Sequence, residues 1–385
     1  MNTKIYNPKI LNLLYELSKV NKLMSKREIS RTIKINGKNV SEKTVINWFK
    51  FLKKKYTFNN ELIDKFTYFY KIPYEKFGLH SICVIYNNPT QEILHKFKFK
   101  NYAAWLYDPS LKKRVLLVSY FVPPTLLKQF LEIIKKEDCN ITELNTSFHL
   151  YSPLHKTINK EGRFTPLQEV TKDLDSQIEL LKNYLRKPYK IGLIEEIKEN
   201  PFFIPVLFEY CYQNYSSREA WFAIKSKLGE RIWDYHKRRR TQTDDSGIKK
   251  IQQTIRSIQQ TNLNHQTKVI YYPLEVNSHS FIYWQINFKK EQNIIKTIKE
   301  LVKNNVYISI VPNTIKNKFL LITLGDNQSL TKTLSLIEDI EIERMLFLDP
   351  EKSSHIFRNE DSYKFKYAEL FDPIEKCWNY NKEIN

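Results

Sequence analysis

Apolar residues along this chain recur in two rhythms that alternate in blocks. Between residues 7 and 56 they fall three and four apart, the spacing that puts side chains on one face of a helix. Ile10, Leu13, Leu14 and Leu17 predict a first helix from about Pro8 to Val20, and proline suits a first helical position because its missing N–H would have no partner there. A second helix is expected from Ser25 to just before Gly37, a turn residue, and a third from Ser41 as N-cap, with Val45, Phe49 and Leu52 inward. Next, KFTYFYKI (65–72) alternates like a strand. The pattern then predicts strand 79–86, helix 89–98, strands 101–107 and 114–121, helix 124–136 and strand 140–151.

This order of elements occurs twice. KVIYYPLEV (268–276) precedes strand 281–288, helix 290–303, strands 306–311 and 318–324, helix 328–339 and strand 341–348. The repeat also survives in identities: NPKILNLLYEL (7–17) matches NPFFIPVLFEY (200–210), and SKREISRTIK (25–34) matches SSREAWFAIK (216–225). Ser25 with Glu28 and Ser216 with Glu219 form the same capping box. Three short helices with a glycine turn before the third, then a β pair, describe a winged helix-turn-helix, and βαββαβ describes a ferredoxin-like sandwich. The expected class is therefore α+β, in two tandem repeats, each a winged helix-turn-helix followed by a ferredoxin-like βαββαβ sandwich. The corresponding units are residues 1–76 and 77–151, a partly helical connector 152–199 (helical around 173–187), 200–276 and 277–350, and a tail 351–385. Each sandwich covers one sheet face with helices, leaving the other solvated, paired with the second copy, or a ligand platform.

Charge sharpens this picture. The chain of 385 residues carries 62 Lys and Arg against 42 Asp and Glu, a net charge of +20, which points to a polyanionic partner. Residues 1–56 hold 14 basic and 3 acidic side chains, and residues 218–268 hold 12 and 5, so the excess sits in two footprints, one per helical block. If Val45, Phe49 and Leu52 are buried, Lys43, Thr44, Asn47, Lys50 and Lys54 occupy the opposite stripe. There Asn47 suits adenine, Thr44 a thymine methyl or base-edge acceptor, and the lysines phosphates, with Arg27 and Arg31 crossing the backbone. Trp48 and Phe51 are expected to pack against the wing or the first helix. In the second block the recognition helix is placed at 247–260, with Ile251, Ile255 and Ile258 inward and Lys249, Lys250, Gln253 and Arg256 outward. The rival is 230–240, ending in Lys237, Arg238, Arg239 and Arg240.

SEKTVINWFKFLKKK (41–55) and KIPYEKFGLHSICVIYNNP (71–89), with the order of elements over residues 7–151, resemble the Lrp/AsnC (feast/famine) regulators of archaea and bacteria. The resemblance implies a helix-turn-helix followed by a ferredoxin-like effector and dimerisation domain. It departs at the second hairpin, AAWLYDPSLKKRV, which lacks the glycines that family members carry around the effector site. Because both copies lie in one chain, it implies a pseudo-dimer whose recognition helices reach major-groove faces roughly 34 Å apart. The function expected is a sequence-specific, double-stranded DNA-binding transcription regulator, with DNA, the chain itself through its sheets, and the transcription machinery as partners.

Other chemistry is not indicated. The chain has no P-loop, GxSxG, HExxH or HxH pattern, and its cysteines (Cys83, Cys139, Cys211, Cys377) are too dispersed for a zinc site or a disulfide framework. Asp173 and Asp175 diverge by about 200° on a helix, leaving Glu169 without a convergent pair, and His149 and His155 lack a third ligand. No enzyme, cofactor or metal is expected, and with no signal peptide and no apolar run long enough for a membrane span, a cytoplasmic protein is. The alternatives are a plasmid or viral replication initiator, and an RNA-binding protein using Tyr102, Trp105, Tyr283 and Trp284 on its sheets.

Overall fold

Two serines open the second helix of each copy by the same device. The N–H groups of Glu28 and Glu219 donate to Ser25 Oγ (3.2 Å) and Ser216 Oγ (3.3 Å), while each serine N–H donates to its glutamate carboxylate at 2.7 Å. These bonds satisfy amide donors that a helix start leaves without partners. The computed structural model describes residues 8–19, 24–35, 37–52, 55–58, 61–64, 66–70, 74–94, 97, 99–145, 147–159, 163–185, 190–211, 216–235, 243–260, 269–273, 280–288, 293–313, 318–325, 335, 340–349 and 367–378.

The first copy runs α1 (Pro8–Lys19), α2 (Lys26–Thr32), β1 (Lys34–Ile35), β2 (Lys38–Asn39), α3 (Glu42–Leu52), β3 (Lys55–Phe58), β4 (Glu61–Asp64), β5 (Phe66–Tyr70), β6 (His80–Tyr86), β7 (Lys100–Asp108), β8 (Lys113–Val122), α4 (Pro124–Ile134) and β9 (Cys139–Leu144). Between the copies lie β10 (Phe148–Tyr151), α5 (Leu154–Thr157), α6 (Lys172–Leu185) and α7 (Glu195–Glu199). The second copy runs α8 (Phe203–Val206) with a π turn over Leu207–Cys211, α9 (Ser217–Leu228), α10 (Ile232–Tyr235), α11 (Asp244–Gln260), β11 (Val269–Pro273), β12 (Ser280–Phe288), α12 (Asn293–Asn304), β13 (Tyr307–Pro312), β14 (Lys318–Gly325) and β15 (Ile340–Leu348). It ends in α13 (Tyr367–Leu370), β16 (Phe371–Asp372) and β17 (Cys377–Trp378).

The architecture is mixed helix and sheet, built around one antiparallel sheet of nine strands in the order β10-β13-β14-β12-β15-β7-β8-β6-β9. Each copy contributes four strands in the same order, fourth, first, third, second: β9-β6-β8-β7 and β15-β12-β14-β13. The quartets join where Phe347 and Leu348 pair with Tyr107 and Leu106. Buried Asp108 accepts from Arg344 Nε at 2.6 Å beside this seam, and Asp349 accepts from Arg114 Nε at 2.6 Å. The far edges meet too, since Leu144 bridges Asn313 and the Asn145 N–H donates to the Pro312 carbonyl at 2.7 Å. The sheet thus closes on itself.

That closure corrects one expectation. The single strand foreseen at 140–151 is divided after Leu144: β9 pairs with β6 of its own copy and β10 with β13 of the other. Among the described residues of the helix foreseen at 89–98, Gln91–Leu94 form a 3₁₀ turn in place of α-helix. Phe97 and Phe99 are both buried in one cluster, and residues two apart diverge by about 200° on a helix, so a single helix face would not present both rings to it. Likewise α2 stops at Thr32, because Ile33 turns extended and the chain folds β1 onto β2 through Gly37 at φ 77°. The helix expected at 328–339 lies outside the described residues except for Ser335.

Alternation along the strands sorts the sheet into two layers. Ile82, Val84, Tyr86, Leu116, Val118 and Tyr120 share a cluster with Phe130 of α4. Ile282, Trp284, Ile286, Ile308 and Leu321 share one with α12 and with Leu174, Ile178 and Leu181 of α6, so the segment between the copies helps to cover the second quartet. The alternate residues Cys83, Ile85, Leu106 and Leu117 meet Tyr283, Val311, Leu320 and Leu346 in a separate core. The face that the sequence left open is therefore paired with the other copy.

The helical blocks are crossed over. Ile10, Leu13, Leu14, Ile29 and Val45 of the first block share a core with Val306, Tyr307 and Leu324 of the second quartet. Trp221, Ile224, Ile251 and Ile255 of the second block share one with Phe77, Leu79 and Phe130 of the first. A matching buttress supports each block: α5 with the Ile158–Phe164 bridge beside α1, and α13 with the β16–β17 pair beside α8 and α9. Finally β5 and β11 pair antiparallel, with Tyr68 opposite Tyr271.

Candidate nucleic-acid interface

What α3 buries fixes what it shows. Val45 is fully buried and Phe49 packs at the rim of the same cluster, while Lys43, Asn47 and Lys50 are exposed. Thr44 is half-buried, with its Oγ1 2.8 Å from Ser41 Oγ, which also accepts from the Thr44 N–H at 3.1 Å. Trp48 packs against the cluster beneath, so its ring is committed to the core. Arg27 and Arg31 are exposed on α2, which packs against α3. Lys54 lies outside the described residues, as do the side chains of Phe51 and Leu52.

In the second block α11 is built by the same logic, with one more turn at its start. Thr243 and Ser246 exchange cap bonds, the Ser246 N–H donating to Thr243 Oγ1 (3.3 Å) and the Thr243 N–H to Ser246 Oγ (3.2 Å). Ile251, Ile255 and Ile258 are buried, Lys249, Gln253 and Arg256 exposed, and Lys250 half-buried. Of the two placements considered, α11 has the inward spacing of α3. The rival stretch begins as a 3₁₀ turn and α10, burying Ile232 and Tyr235, and its cluster Arg238, Arg239 and Arg240 falls outside the described residues.

At the start of α11, Asp244 Oδ1 accepts from Lys225 Nζ at 2.7 Å and from Trp221 Nε1 at 2.9 Å. The lysine bond, then the indole bond, hold this carboxyl below the ordinary carboxylate range. The helix thus opens on a negative charge that favours its own dipole but not an approaching phosphate.

One residue escaped the sequence reading although the repeat points to it. Arg218 occupies in SSRE (216–219) the place of Arg27 in SKRE (25–28); it is exposed, with its guanidinium 5.9 Å from the centroid of the Phe222 ring. The remaining candidates are committed elsewhere. Asp175 pairs with Lys299 at 2.6 Å, His149 lies between Ser147 Oγ (2.8 Å) and Tyr307 Oη (2.7 Å), and Asp173 is exposed on α6. Tyr283 and Trp284 are buried and the Tyr102 and Tyr283 hydroxyls meet at 2.6 Å, so these rings belong to the packed layers.

Compared with protein-family models, curated proteins and solved structures, the chain matches none. Among the described residues no helix is long and apolar enough to cross a membrane. The chemistry these surfaces offer is that of exposed cations and side-chain amides held on packed helices, groups of the kind that can neutralise phosphates and pair with base edges.

Proposed function

We propose that the chain is a double-stranded DNA-binding transcription regulator that acts as a one-chain pseudo-dimer. Each copy is read as a winged helix-turn-helix followed by a ferredoxin-like unit, as the resemblance to the Lrp/AsnC regulators implies. The shared strand order of the quartets supports the second part of that reading, and the three packed helices of each block support the first. The observation that carries the function is the antiparallel pairing of β5 with β11, centred on Tyr68 opposite Tyr271. Each strand follows its helical block, so the ribbon ties the blocks together at matching points of the chain, which supports the reading that both meet one duplex. Regulation of transcription follows from the family resemblance, and the DNA-binding step is the one tested first.

The test is fluorescence anisotropy with the full-length chain, using labelled random-sequence duplex DNA and single-stranded RNA at several salt concentrations. Duplex binding in the micromolar range with a steep salt slope is expected, since each neutralised phosphate adds about 0.9 to the slope. Preference for RNA, or no duplex binding at low salt, would refute the proposal.

A further inference from the structure

We infer, resting on the function just proposed, that the duplex this chain recognises is non-palindromic, with two unlike half-sites in a fixed order. The argument begins with the register between the reading helices. Superposing the inward residues Val45 and Phe49 on Ile251 and Ile255 places Lys43 with Lys249, Thr44 with Lys250, Asn47 with Gln253 and Lys50 with Arg256. Only the first pair is identical.

The other three differ in what they can recognise. Asn47 and Gln253 both suit adenine, but glutamine reaches one methylene further into the groove. Lys50 is a point charge, whereas Arg256 carries a planar fork that grips guanine at two atoms. Thr44 has its hydroxyl engaged with Ser41 and offers a methyl group, while its counterpart Lys250 is a cation.

The frames around the helices differ in the same direction. In this register Ser41, the cap of α3, corresponds to Gly247, so α11 (17 residues, against 11 for α3) has an extra first turn holding Asp244 and Asp245. Asp245 is exposed and Asp244 is paired with Lys225 at 2.7 Å, while α3 carries one exposed acid, Glu42, in its first turn. Lys249 and Gln253 accordingly stand about one turn further from the start of their helix than Lys43 and Asn47 do from theirs, so the two helices meet a duplex at different points along their length. On the supporting helix the exposed pair Arg27 and Arg31 becomes Arg218 and Phe222, which removes one backbone-positioning cation. Both blocks are anchored in the cores of one chain, so the order of the half-sites along the duplex cannot be exchanged.

The experiment is enrichment of binding sites by the full-length chain from a random duplex library, repeated with Asn47→Ala and Gln253→Ala. Both positions are exposed, and circular dichroism checks that each variant is folded. The expected motif has two different halves; Asn47→Ala relaxes base preference in one half only and Gln253→Ala in the other only. Inverting one half-site in the selected operator should weaken binding about ten-fold or more, as several mismatched positions would. A palindromic motif, or both variants relaxing the same half, overturns the inference while leaving DNA binding intact. Failure to enrich any duplex sequence overturns both the inference and sequence-specific recognition.

Discussion

Gly247 is where α11 crosses α9, and replacing it tests how tightly the second block is built. A Cβ at this position would lie 2.2 Å from Trp221 Cζ2 and 2.3 Å from Cε2 and Cη2, closer than packed atoms approach. The indole has little room to yield. It is fully buried, its Nε1 donates to Asp244 at 2.9 Å, and Trp233 lies 6.1 Å away ring to ring. For Gly247→Ala, about 1 kcal/mol is gained from helix propensity, about 1–3 kcal/mol is lost to overpacking, and roughly 1.5–3 kcal/mol more if the indole loses its carboxylate partner. With all three the net expectation is a loss of about 1.5–5 kcal/mol, read in urea unfolding by tryptophan fluorescence and far-UV circular dichroism. Gly192→Ala, where a Cβ meets nothing within 4 Å, is the control and should be close to neutral. Trp221→Phe should recover part of the loss in the double variant, because the smaller ring vacates the space the methyl needs. Wild-type stability for Gly247→Ala would refute the close crossing and, with it, the placement of α11 against α9.

Two further outcomes test other parts of the fold. Asp108→Ala at the seam removes the partner of Arg344, which is 8% exposed, and should cost about 3–5 kcal/mol in the same unfolding assay. Burial alone would raise the Asp108 carboxyl, but hydrogen bonds from Ser110, Arg344 and the Leu111 N–H outweigh it and hold it below its ordinary value. Its contribution is therefore present above about pH 4 and is lost as pH falls below that through the lowered folded value, so stability measured from pH 6 to pH 3 should fall further in wild type than in Asp108→Ala. Among the cysteines, burial pushes the Cys83 thiol up to about 12 and Cys139 to about 11, while Cys377 is exposed. Alkylation at pH 8 followed by peptide mass mapping should label Cys377 before Cys139 and Cys83, and early labelling of Cys83 would contradict the paired sheet layers.

Much of this architecture could be read from local pattern. The capping boxes at Ser25 and Ser216 are written in four residues each, and the inward spacing of Ile251, Ile255 and Ile258 located α11 from period alone. Of the eight strands expected at 79–86, 101–107, 114–121, 140–151, 281–288, 306–311, 318–324 and 341–348, seven appear within a few residues of those bounds, because alternation over a half-buried strand is a local signal. The errors arose where tertiary packing outweighed local preference. Phe97 and Phe99 together draw the chain out of a helix, and the run 139–151 serves two neighbours in turn. Arg218 is legible only from the repeat, where SSRE (216–219) matches SKRE (25–28) and sets it in the place of Arg27.

The crossed packing was the least legible feature, and the reason is physical. Periodicity says which face of a helix is buried and is silent about what covers it. Ile10, Leu13 and Leu14 required an apolar partner, and either quartet could have supplied one; the structure joins them to Val306, Tyr307 and Leu324 of the other copy. The same holds for Ile85 and Leu117, whose partners Tyr283 and Leu320 again come from the other copy. A single copy of this sequence would thus leave two apolar surfaces uncovered, one on its sheet and one on its helices, each a strong drive to associate. Joining the copies in one polypeptide supplies both covers at the high effective concentration of a tethered partner.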